Sequence, residues 1–512
     1  MLYQARRLST FGFITSIYII FSLSACGKGD SDTPLSGGKL QQGQSVSFGG
    51  TIIGNNASIT LSLNDDEQTF AGPSFIFDEQ VTVGDAYLID FVSTSANQIC
   101  KINIPSGVAS SDINNLIVTC SDPVVELRFT DVGINTELVA GDFNGDGFPD
   151  LAYNLRTYQN HTTGSNNELV QFSFGDGAGA FPDTDTSMID SAYLFSSELT
   201  GDNLDDLVVI DGSSAPSTVV TIGGRTDNQP GKIYNGTLIR GSEFNAIRVD
   251  IDRDGDSDFI TPVINGFLSF EKFAVYKNDG NGNFSQSNSF PLTGHESALS
   301  GINFAIADVD SDGYEDIIQF GYTGSEVHLE VITGNGDGTF NFSGTSSKIT
   351  DDIFFGDYYF NAAESVATSD FNGDGNIDFA VTSTSDFILI LLGDGIGNFS
   401  EGQRVKTSSS PSHVRIADLN KDGFTDIVSS NQDAKTLHIS YGKGDGTFGD
   451  ENDSPSSWES IQLTNTSDVR DVTIADFDND GYPDVALIDI GIENNETYTD
   501  GAILIHLGVG KR

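Results

Sequence analysis

The side chains best suited to chemistry recur in one nine-residue pattern, D-x-[DN]-x-D-G-x-x-D, which concentrates carboxylate and amide oxygens. Six full copies occur. A degenerate copy has Thr200 and Asn203 where the others have Asp or Asn and Gly. Successive copies start 48 to 62 residues apart, a spacing too regular for chance. We number these loops 1 to 7 in chain order: 142–150, 198–206, 250–258, 308–316, 370–378, 418–426 and 476–484.

Oxygen ligands at this spacing favour Ca²⁺, which binds about six to eight oxygens in proteins. Positions 1, 3, 5 and 9 of a loop offer side-chain oxygens, position 7 offers its backbone carbonyl, and glycine at position 6 permits a tight turn. Loop 2 has an incomplete ligand set, so about six Ca²⁺ sites with a structural role are expected. The predicted ligands are Asp142, Asn144, Asp146, Phe148, Asp150, Asp250, Asp252, Asp254, Asp256, Asp258, Asp308, Asp310, Asp312, Tyr314, Asp316, Asp370, Asn372, Asp374, Asn376, Asp378, Asp418, Asn420, Asp422, Phe424, Asp426, Asp476, Asp478, Asp480, Tyr482 and Asp484.

Helical calcium motifs do not fit this pattern. An EF-hand needs an acidic ligand at position 12, but that position is Tyr153 in loop 1, Gln319 in loop 4 and Leu487 in loop 7. The residues that follow each loop form runs rich in β-branched and aromatic residues, which is typical of strands. Dockerin-type loops fail for the same reason, so each loop is predicted to lie between two strands.

A glycine-rich turn is the second repeated feature. It follows an apolar run and occurs at 175–181, 278–284, 334–340, 393–399 and 442–448. Gly, Asn and Asp supply the positive φ angles that a hairpin turn needs. Each repeat therefore predicts strand, acidic loop, strand, connection, strand, glycine turn and strand, and four strands in about 55 residues make one propeller blade.

These repeats resemble the FG-GAP/VCBS family over roughly residues 124–512. The resemblance implies an all-β protein, a seven-bladed β-propeller at 122–512. The seventh repeat stops at its glycine turn, and its last strand is missing. The segment 124–129 has no blade of its own. We expect this segment to complete the seventh blade and to cover both sheet edges, which would otherwise be prone to aggregation.

The N-terminus resembles that of a bacterial lipoprotein. Arg6 and Arg7 precede a short apolar stretch, and residues 23–26 (LSAC) resemble a lipobox. This predicts a signal peptide at 1–25, lipidation of Cys26 and a flexible tether at 26–44; the alternative is an ordinary signal peptide with a chance cysteine. Gly27 after the cysteine favours an outer-membrane lipoprotein of the bacterial cell envelope, facing the periplasm or the cell surface.

Residues 45–121 alternate in the manner of strands and resemble a small Ig-like β-sandwich, expected to act as a spacer. If Cys26 is lipidated, Cys100 and Cys120 remain as a pair. An oxidising compartment would allow them to form a disulfide, which the Ig-like resemblance places between the last two strands.

Charge limits the possible partners. The chain has 24 Lys and Arg against 74 Asp and Glu, a formal net charge of −50. This argues against nucleic acid and against electrostatic docking on anionic lipid. Oligomerisation is not indicated.

No catalytic residue stands out. None of the six histidines lies in a metal motif, and His328, His438 and His506 are read as structural residues of strands. The favoured function is a cell-surface binding or adhesion module for a glycan or a protein, anchored by Cys26. The alternatives are a polysaccharide-active enzyme (lyase or hydrolase), a catalytic calcium site, and a purely structural envelope protein.

Overall fold

The computed structural model describes residues 44–508, apart from internal gaps. The signal peptide, Cys26 and nearly all of the predicted tether lie outside the described residues, as do His161 and His295. In the part that is described, no helix is long and apolar enough to cross a membrane. The gaps are 54–57, 65, 95–98, 103–105, 122–123, 130–131, 158–166, 188–192, 201, 212–216, 223–232, 240–245, 266–268, 292–302, 324–325, 350–365, 384, 408–410, 432–433, 451–452, 454–456, 464–468, 490–491, 495–496 and 500.

An N-terminal unit contains two four-stranded sheets and a short two-stranded one. The strands are β1 (Ser45–Val46), β2 (Phe48–Ile53), β3 (Ser58–Leu63), β4 (Asp66–Ala71), β5 (Ser74–Ile76), β6 (Val81–Thr82), β7 (Ala86–Thr94), β8 (Ile99–Ile102), β9 (Ser106–Val108) and β10 (Ile113–Ser121). Their orders are β5-β2-β10-β8, β4-β3-β7-β9 and β1-β6. Phe48 and Val118 from one sheet and Leu61 and Ile89 from another share a single buried core, so the sheets pack against each other.

The two cysteines of this unit lie on neighbouring strands. Strand β8 pairs antiparallel with β10, and Cys100 is the direct register partner of Cys120. Cross-strand neighbours of this kind have Cα atoms about 4.5–5.5 Å apart, within the range of a disulfide. The strands are not consecutive as expected, because β9 intervenes and joins the other sheet. The disulfide and the Ig-like description stay predictions.

Apart from one two-stranded hairpin, the remaining described strands form seven four-stranded sheets, which we call blades 1 to 7. Strand β11 (Val124–Phe129) comes first in the chain. Blades 1 to 3 comprise β12 (Val132–Gly141), β13 (Asp150–Thr157), β14 (Asn167–Phe174), β15 (Asp183–Ser187); β16 (Tyr193–Ser197), β17 (Asp206–Asp211), β18 (Ser217–Ile222), β19 (Ile233–Ile239); and β20 (Ile247–Val249), β21 (Asp258–Asn265), β22 (Ser269–Asn278), β23 (Phe284–Pro291).

Blades 4 to 7 repeat the arrangement. Blades 4 to 6 comprise β24 (Asn303–Ala307), β25 (Asp316–Thr323), β26 (Glu326–Gly334), β27 (Phe340–Ile349); β28 (Val366–Ser369), β29 (Asp378–Thr382), β30 (Phe387–Gly393), β31 (Phe399–Lys406); and β32 (His413–Ala417), β33 (Asp426–Asn431), β34 (Thr436–Ser440), β35 (Trp458–Gln462). The last strands are β36 (Val469–Ala475), β37 (Asp484–Asp489), β38 (Ile492–Asn494), β39 (Thr497–Thr499) and β40 (Gly501–His506). Strands β38 and β39 form a separate hairpin.

Blade 7 is closed by the N-terminal strand of the propeller. Its order is β11-β40-β37-β36, and β11 pairs antiparallel with β40 from Val124↔His506 to Phe129↔Gly501. This is the pairing that the sequence predicts for segment 124–129. Blades 1 to 6 are antiparallel meanders of consecutive strands.

Seven apolar clusters lie between consecutive blades, including one between blade 7 and blade 1. In that last cluster Leu151 and Tyr153 of blade 1 pack with Ile503 and Ile505 of β40. The blades therefore close into a ring, and the fold is an all-β propeller. Because neighbours cover both faces of a blade, β29 is buried along its whole length and β30 over its first five residues.

A polar contact also joins the ends of the ring. Asp471 of β36 accepts hydrogen bonds from Arg415 Nη2 of blade 6 (2.9 Å) and from the Leu138 backbone N–H of blade 1 (2.8 Å). It also accepts one from the Val472 N–H (2.7 Å). The Asp471 side chain is 3% exposed. One carboxylate thus links three blades, and we call this contact the closure clamp.

Candidate metal centres

Each acidic loop connects the first and second strands of its blade, and its position 9 begins the second strand. The glycine turn connects the third and fourth strands. In an antiparallel meander these two connections lie at the same end of the sheet, so loop and turn meet. The loops of all blades therefore share one face of the propeller.

Position 9 fastens each of the six full loops to the glycine turn of its own blade. In all seven loops this Asp is fully buried. One carboxylate oxygen accepts the backbone N–H of position 2, as in Asp316 with Val309 (3.0 Å). In the six full loops the other oxygen accepts the first N–H of the turn, as in Asp316 with Gly334 (2.8 Å). The contacts recur at Asp150, Asp258, Asp378, Asp426 and Asp484. The sequence pattern predicted a ligand here and missed this fastening role.

The six full loops share a hydrogen-bond frame. Position 1 accepts the N–H of the position 6 glycine, at 2.7 Å in loop 7 and 3.2 Å in loop 3. Position 5 accepts the N–H of position 7 in every one of them. These bonds orient the carboxylates of positions 1 and 5, and they leave further lone pairs available to a cation.

Three loops bring acidic ligands together closely enough for one cation. The ligand atoms lie within 4.8 Å of one another in Asp250–Asp252–Asp254, in Asp308–Asp310–Asp316 and in Asp476–Asp478–Asp484. In loop 3, Oδ1 of Asp250 and Oδ1 of Asp252 are buried and accept no hydrogen bond from the described residues. Such oxygens need a partner. The oxygen-only ligand set fits a hard cation such as Ca²⁺.

The other three full loops carry Asn at position 3 and behave differently. In each, the Asn amide Nδ2 donates to the position 5 carboxylate at 3.0 Å: Asn144 to Asp146, Asn372 to Asp374 and Asn420 to Asp422. This bond offsets part of the negative charge that a cation would otherwise balance. This hydrogen bond would have to break if the Asn side chain turned its Oδ1 towards a metal.

The pKa values of two loop carboxyls follow from their surroundings. In loop 5, the hydrogen bonds from the Asn376 backbone and the Asn372 side chain lower the pKa of Asp374. In loop 4, burial and the neighbouring Asp312 raise the pKa of Asp310. Burial also raises the pKa of the position 9 carboxyls, to about 7 at Asp150, Asp258 and Asp484 and to about 6 at Asp316 and Asp426. A bound cation would favour their ionised forms.

Loop 2 keeps part of this hydrogen-bond frame, including the bond from the Leu204 N–H to Asp202 (3.0 Å), and it has fewer ligands. Asp206 accepts the Leu199 N–H (2.7 Å), as position 9 does elsewhere. Asn203 at position 6 has a φ of 65°, which Asn adopts more readily than most residues. Thr200 at position 3 is uncharged, and its hydroxyl donates to Asp206 (3.4 Å). Loop 2 therefore has the shape of the other loops and a weaker ligand set.

Replacing Asn372 by Asp is expected to raise the calcium affinity of loop 5 about tenfold, because it adds a charged ligand and removes the amide that neutralises Asp374. Calorimetric calcium titration measures this. Asn376→Asp is the matched control, since position 7 is predicted to bind only through its backbone carbonyl and loop 3 already carries Asp256 there. An equal gain from both substitutions would refute a ligand role for position 3.

Comparisons with known proteins agree with this repeat. A sequence profile described as "FG-GAP-like repeat" matches residues 250–319, 370–429 and 418–487. The chain contains FG-GAP-like repeats. Each match spans two consecutive loops, and together they include loops 3 to 7. No curated protein matches the chain.

Several solved structures resemble the FG-GAP-like propeller distantly. A rhamnogalacturonan lyase, YesW, is 14% identical with a TM-score of 0.41, covering 92% of this chain and 90% of that one. The periplasmic gluconolactonase PpgL of Pseudomonas aeruginosa is 13% identical (TM-score 0.39; 82% and 96% covered). AofleA from Arthrobotrys oligospora is 10% identical (TM-score 0.37; 67% and 91% covered).

The histidines whose side chains are described lie inside the FG-GAP-like propeller. His413 is 7% exposed, His438 is 0% and His506 is 5%. His438 stacks on Trp458, the only tryptophan, at 5.6 Å between ring centroids. These positions fit the structural role expected for His438 and His506. His328 lies in β26, and its side chain is outside the description.

His438 is expected to make the protein acid-sensitive. Burial lowers its pKa from 6.5 to about 4, although Asp450 opposes this shift. The neutral form is the stable one in the fold, so this stability is present above pH 6.5 and is lost as the pH falls towards 4. Urea unfolding of His438→Phe at saturating calcium should show a smaller loss of unfolding free energy between pH 7 and pH 5, by about 1–2 kcal/mol. An identical pH dependence in both proteins would show that His438 does not contribute.

Proposed function

We propose that the chain is a calcium-stabilised β-propeller that acts as a cell-surface binding module for a glycan or a protein. The observation that carries this proposal is the repetition of one hydrogen-bond frame in six loops, each fastened to its blade by a buried position 9 Asp. A reaction centre is normally unique, whereas six near-copies suit a scaffold. Calcium would hold each loop closed against the repulsion of its own carboxylates.

The anchoring of this module is part of the same proposal. Cys26 would carry the lipid, and residues 26–44 would tether the protein to the outer membrane. The N-terminal unit would then act as a spacer, possessing its own buried core. A Cys26→Ser variant should be released into the soluble fraction, while the wild type remains with membranes.

The burial of three histidines and of Tyr276 supports the binding role over the enzyme alternative. A polysaccharide lyase would need basic residues, histidine or tyrosine grouped in one accessible cleft. His413, His438 and His506 are buried, and burial raises the pKa of Tyr276 to about 12. These groups are placed for packing.

The binding role can be tested with the full chain carrying Cys26→Ser. Glycan arrays and cell-surface binding would be measured with calcium and after chelation. The proposal expects saturable binding that calcium supports. Depolymerisation of a bound polysaccharide would establish an enzyme instead, and calcium-stabilised protein that binds no surface or glycan would leave a structural envelope role.

A further inference from the structure

Two loops carry a long cationic side chain at position 4. These residues are Arg253 in loop 3 and Lys421 in loop 6, and both have a φ of 60°. Gly and Asn adopt this left-handed conformation more readily than Arg or Lys. Loops 1 and 5 use Gly at position 4, and loop 7 uses Asn. The cationic residues are thus not the ones that the backbone favours, which points to a contribution from their side chains.

Each of these two side chains packs against the next loop around the ring. The Arg253 guanidinium carbon is 4.6 Å from the centre of the Tyr314 ring, at position 7 of loop 4. The Lys421 Nζ is 5.0 Å from the centre of the Tyr482 ring, at position 7 of loop 7. Tyr occurs at position 7 only in loops 4 and 7, and these are the two loops whose preceding loop has Arg or Lys at position 4.

The contact extends to the position 6 glycine of the loop that carries the tyrosine. A Cβ placed on Gly313 would lie 3.2 Å from Arg253 Nη2, and one on Gly481 would lie 3.2 Å from Lys421 Nζ. The Arg or Lys side chain therefore covers positions 6 and 7 of the next loop. Position 6 donates to the position 1 ligand, and position 7 is a predicted backbone ligand. Position 4 itself stands between ligand positions 3 and 5 of its own loop.

Loops 3 and 4 are joined by a second contact. Lys277 Nζ lies 2.8 Å from Asp252 Oδ2, at position 3 of loop 3. The same ammonium donates to the backbone carbonyl of Asp337 (2.8 Å), which belongs to the glycine turn of blade 4. A ligand side chain of loop 3 is thereby held to the neighbouring blade as well.

We propose that Arg253 and Lys421 are positioning residues that couple the cation loops in pairs, loop 3 with loop 4 and loop 6 with loop 7. The coupling rests on the proposed calcium binding. A Ca²⁺ ion bound in loop 4 orders Gly313 and Tyr314, which contact Arg253. This restrains Arg253, which lies in the sequence between the ligand positions 3 and 5 of loop 3. Loop 3 then loses less conformational freedom when it binds its own cation, so the two sites favour each other.

The same side chains have an opposing electrostatic effect. A positive charge beside a loop disfavours a divalent cation, so removing it would strengthen calcium binding if charge alone mattered. Coupling predicts a different result, namely that the loss of one site weakens its neighbour. Comparing variants with and without Arg253 separates the two effects.

The test is calorimetric calcium titration of the full chain carrying Cys26→Ser. Disabling loop 4 with Asp308→Ala should remove one site and weaken one further site about two- to fivefold, the range expected for an exposed cation–π contact. In the Arg253→Ser background, Asp308→Ala should remove one site and weaken none. Serine is the residue that loop 4 uses at position 4. Tyr314→Asn, which copies position 7 of loop 5, should also uncouple the pair.

Loop 5 provides the matched control, because Ser311 precedes it at position 4 of loop 4. Asp370→Ala should remove one site without weakening another, whether or not Arg253 is present. If Asp308→Ala weakens a further site equally in the wild-type and Arg253→Ser backgrounds, or weakens none in either, the coupling is refuted while calcium binding stands. A wild-type chain that binds no calcium would overturn both the coupling and the proposed function.

Discussion

Removing calcium is expected to lower the melting temperature of the protein by about 10 °C or more. At a calcium concentration 100-fold above the dissociation constant, each site stabilises the fold by about 2.7 kcal/mol, and about six sites contribute. Without the cation, the carboxylates at positions 1 and 5 of each loop, and also at position 3 of loops 3, 4 and 7, repel one another beside a buried position 9 Asp. Thermal unfolding would be followed in calcium and in excess chelator, with calcium added back to show reversal.

A pair of single substitutions locates this effect in the loops. Asp374→Ala removes the position 5 ligand of loop 5 and should reduce the calcium-dependent part of the melting shift. Asp202→Ala alters the same position in loop 2, whose ligand set is incomplete, and should leave the calcium-dependent part unchanged. A melting temperature that is equal in calcium and in chelator would contradict the calcium scaffold.

Asp471→Ala is expected to lower the free energy of unfolding by about 3 kcal/mol at neutral pH. The substitution leaves the Leu138 and Val472 N–H groups without their acceptor, and a buried unsatisfied donor costs about 1–3 kcal/mol. It also removes one partner of Arg415, whose side chain is 32% exposed and can turn to water. Urea unfolding at saturating calcium is the measurement.

Asp453→Ala is the matched control for the closure clamp. Asp453 also pairs with a cation at 2.9 Å, Lys443, but its side chain is 39% exposed and the pair lies within blade 6. Exposed pairs of this kind contribute about 1 kcal/mol or less. An equal loss of unfolding free energy in the two variants would show that the closure clamp stabilises the fold no more than an exposed ion pair does.

The sequence predicts those parts of the fold that depend on short segments. The acidic loops and glycine turns recur at near-constant spacing, so the loop positions, the strand between them and the propeller class follow from local chemistry. The position 9 Asp is present even in loop 2, where position 3 is Thr200. That persistence was a signal that position 9 supports the loop itself, besides facing a cation.

Contacts between blades could not be predicted in this way. Leu138 and Asp471 are 333 residues apart in the chain, and Arg415 and Asp471 are 56 apart. Arg253 meets Tyr314 only because blades 3 and 4 are neighbours in the ring. No local periodicity marks such pairs, since the angle between blades and the closure of the ring set their distances. The burial of His438 has the same origin, because adjacent blades cover both faces of its sheet.

The pairing of β11 with β40 gives the molecule a mechanical property. Strand β11 directly follows the N-terminal unit, so a pull on a membrane tether would reach the propeller at Val124. The antiparallel ladder runs over six residue pairs, from Val124↔His506 to Phe129↔Gly501. A load directed along β11 would shear all of these pairs together, which resists force better than opening them one by one. If the proposed lipid anchor and surface binding hold, the strand that closes the ring is also the one that carries force between them.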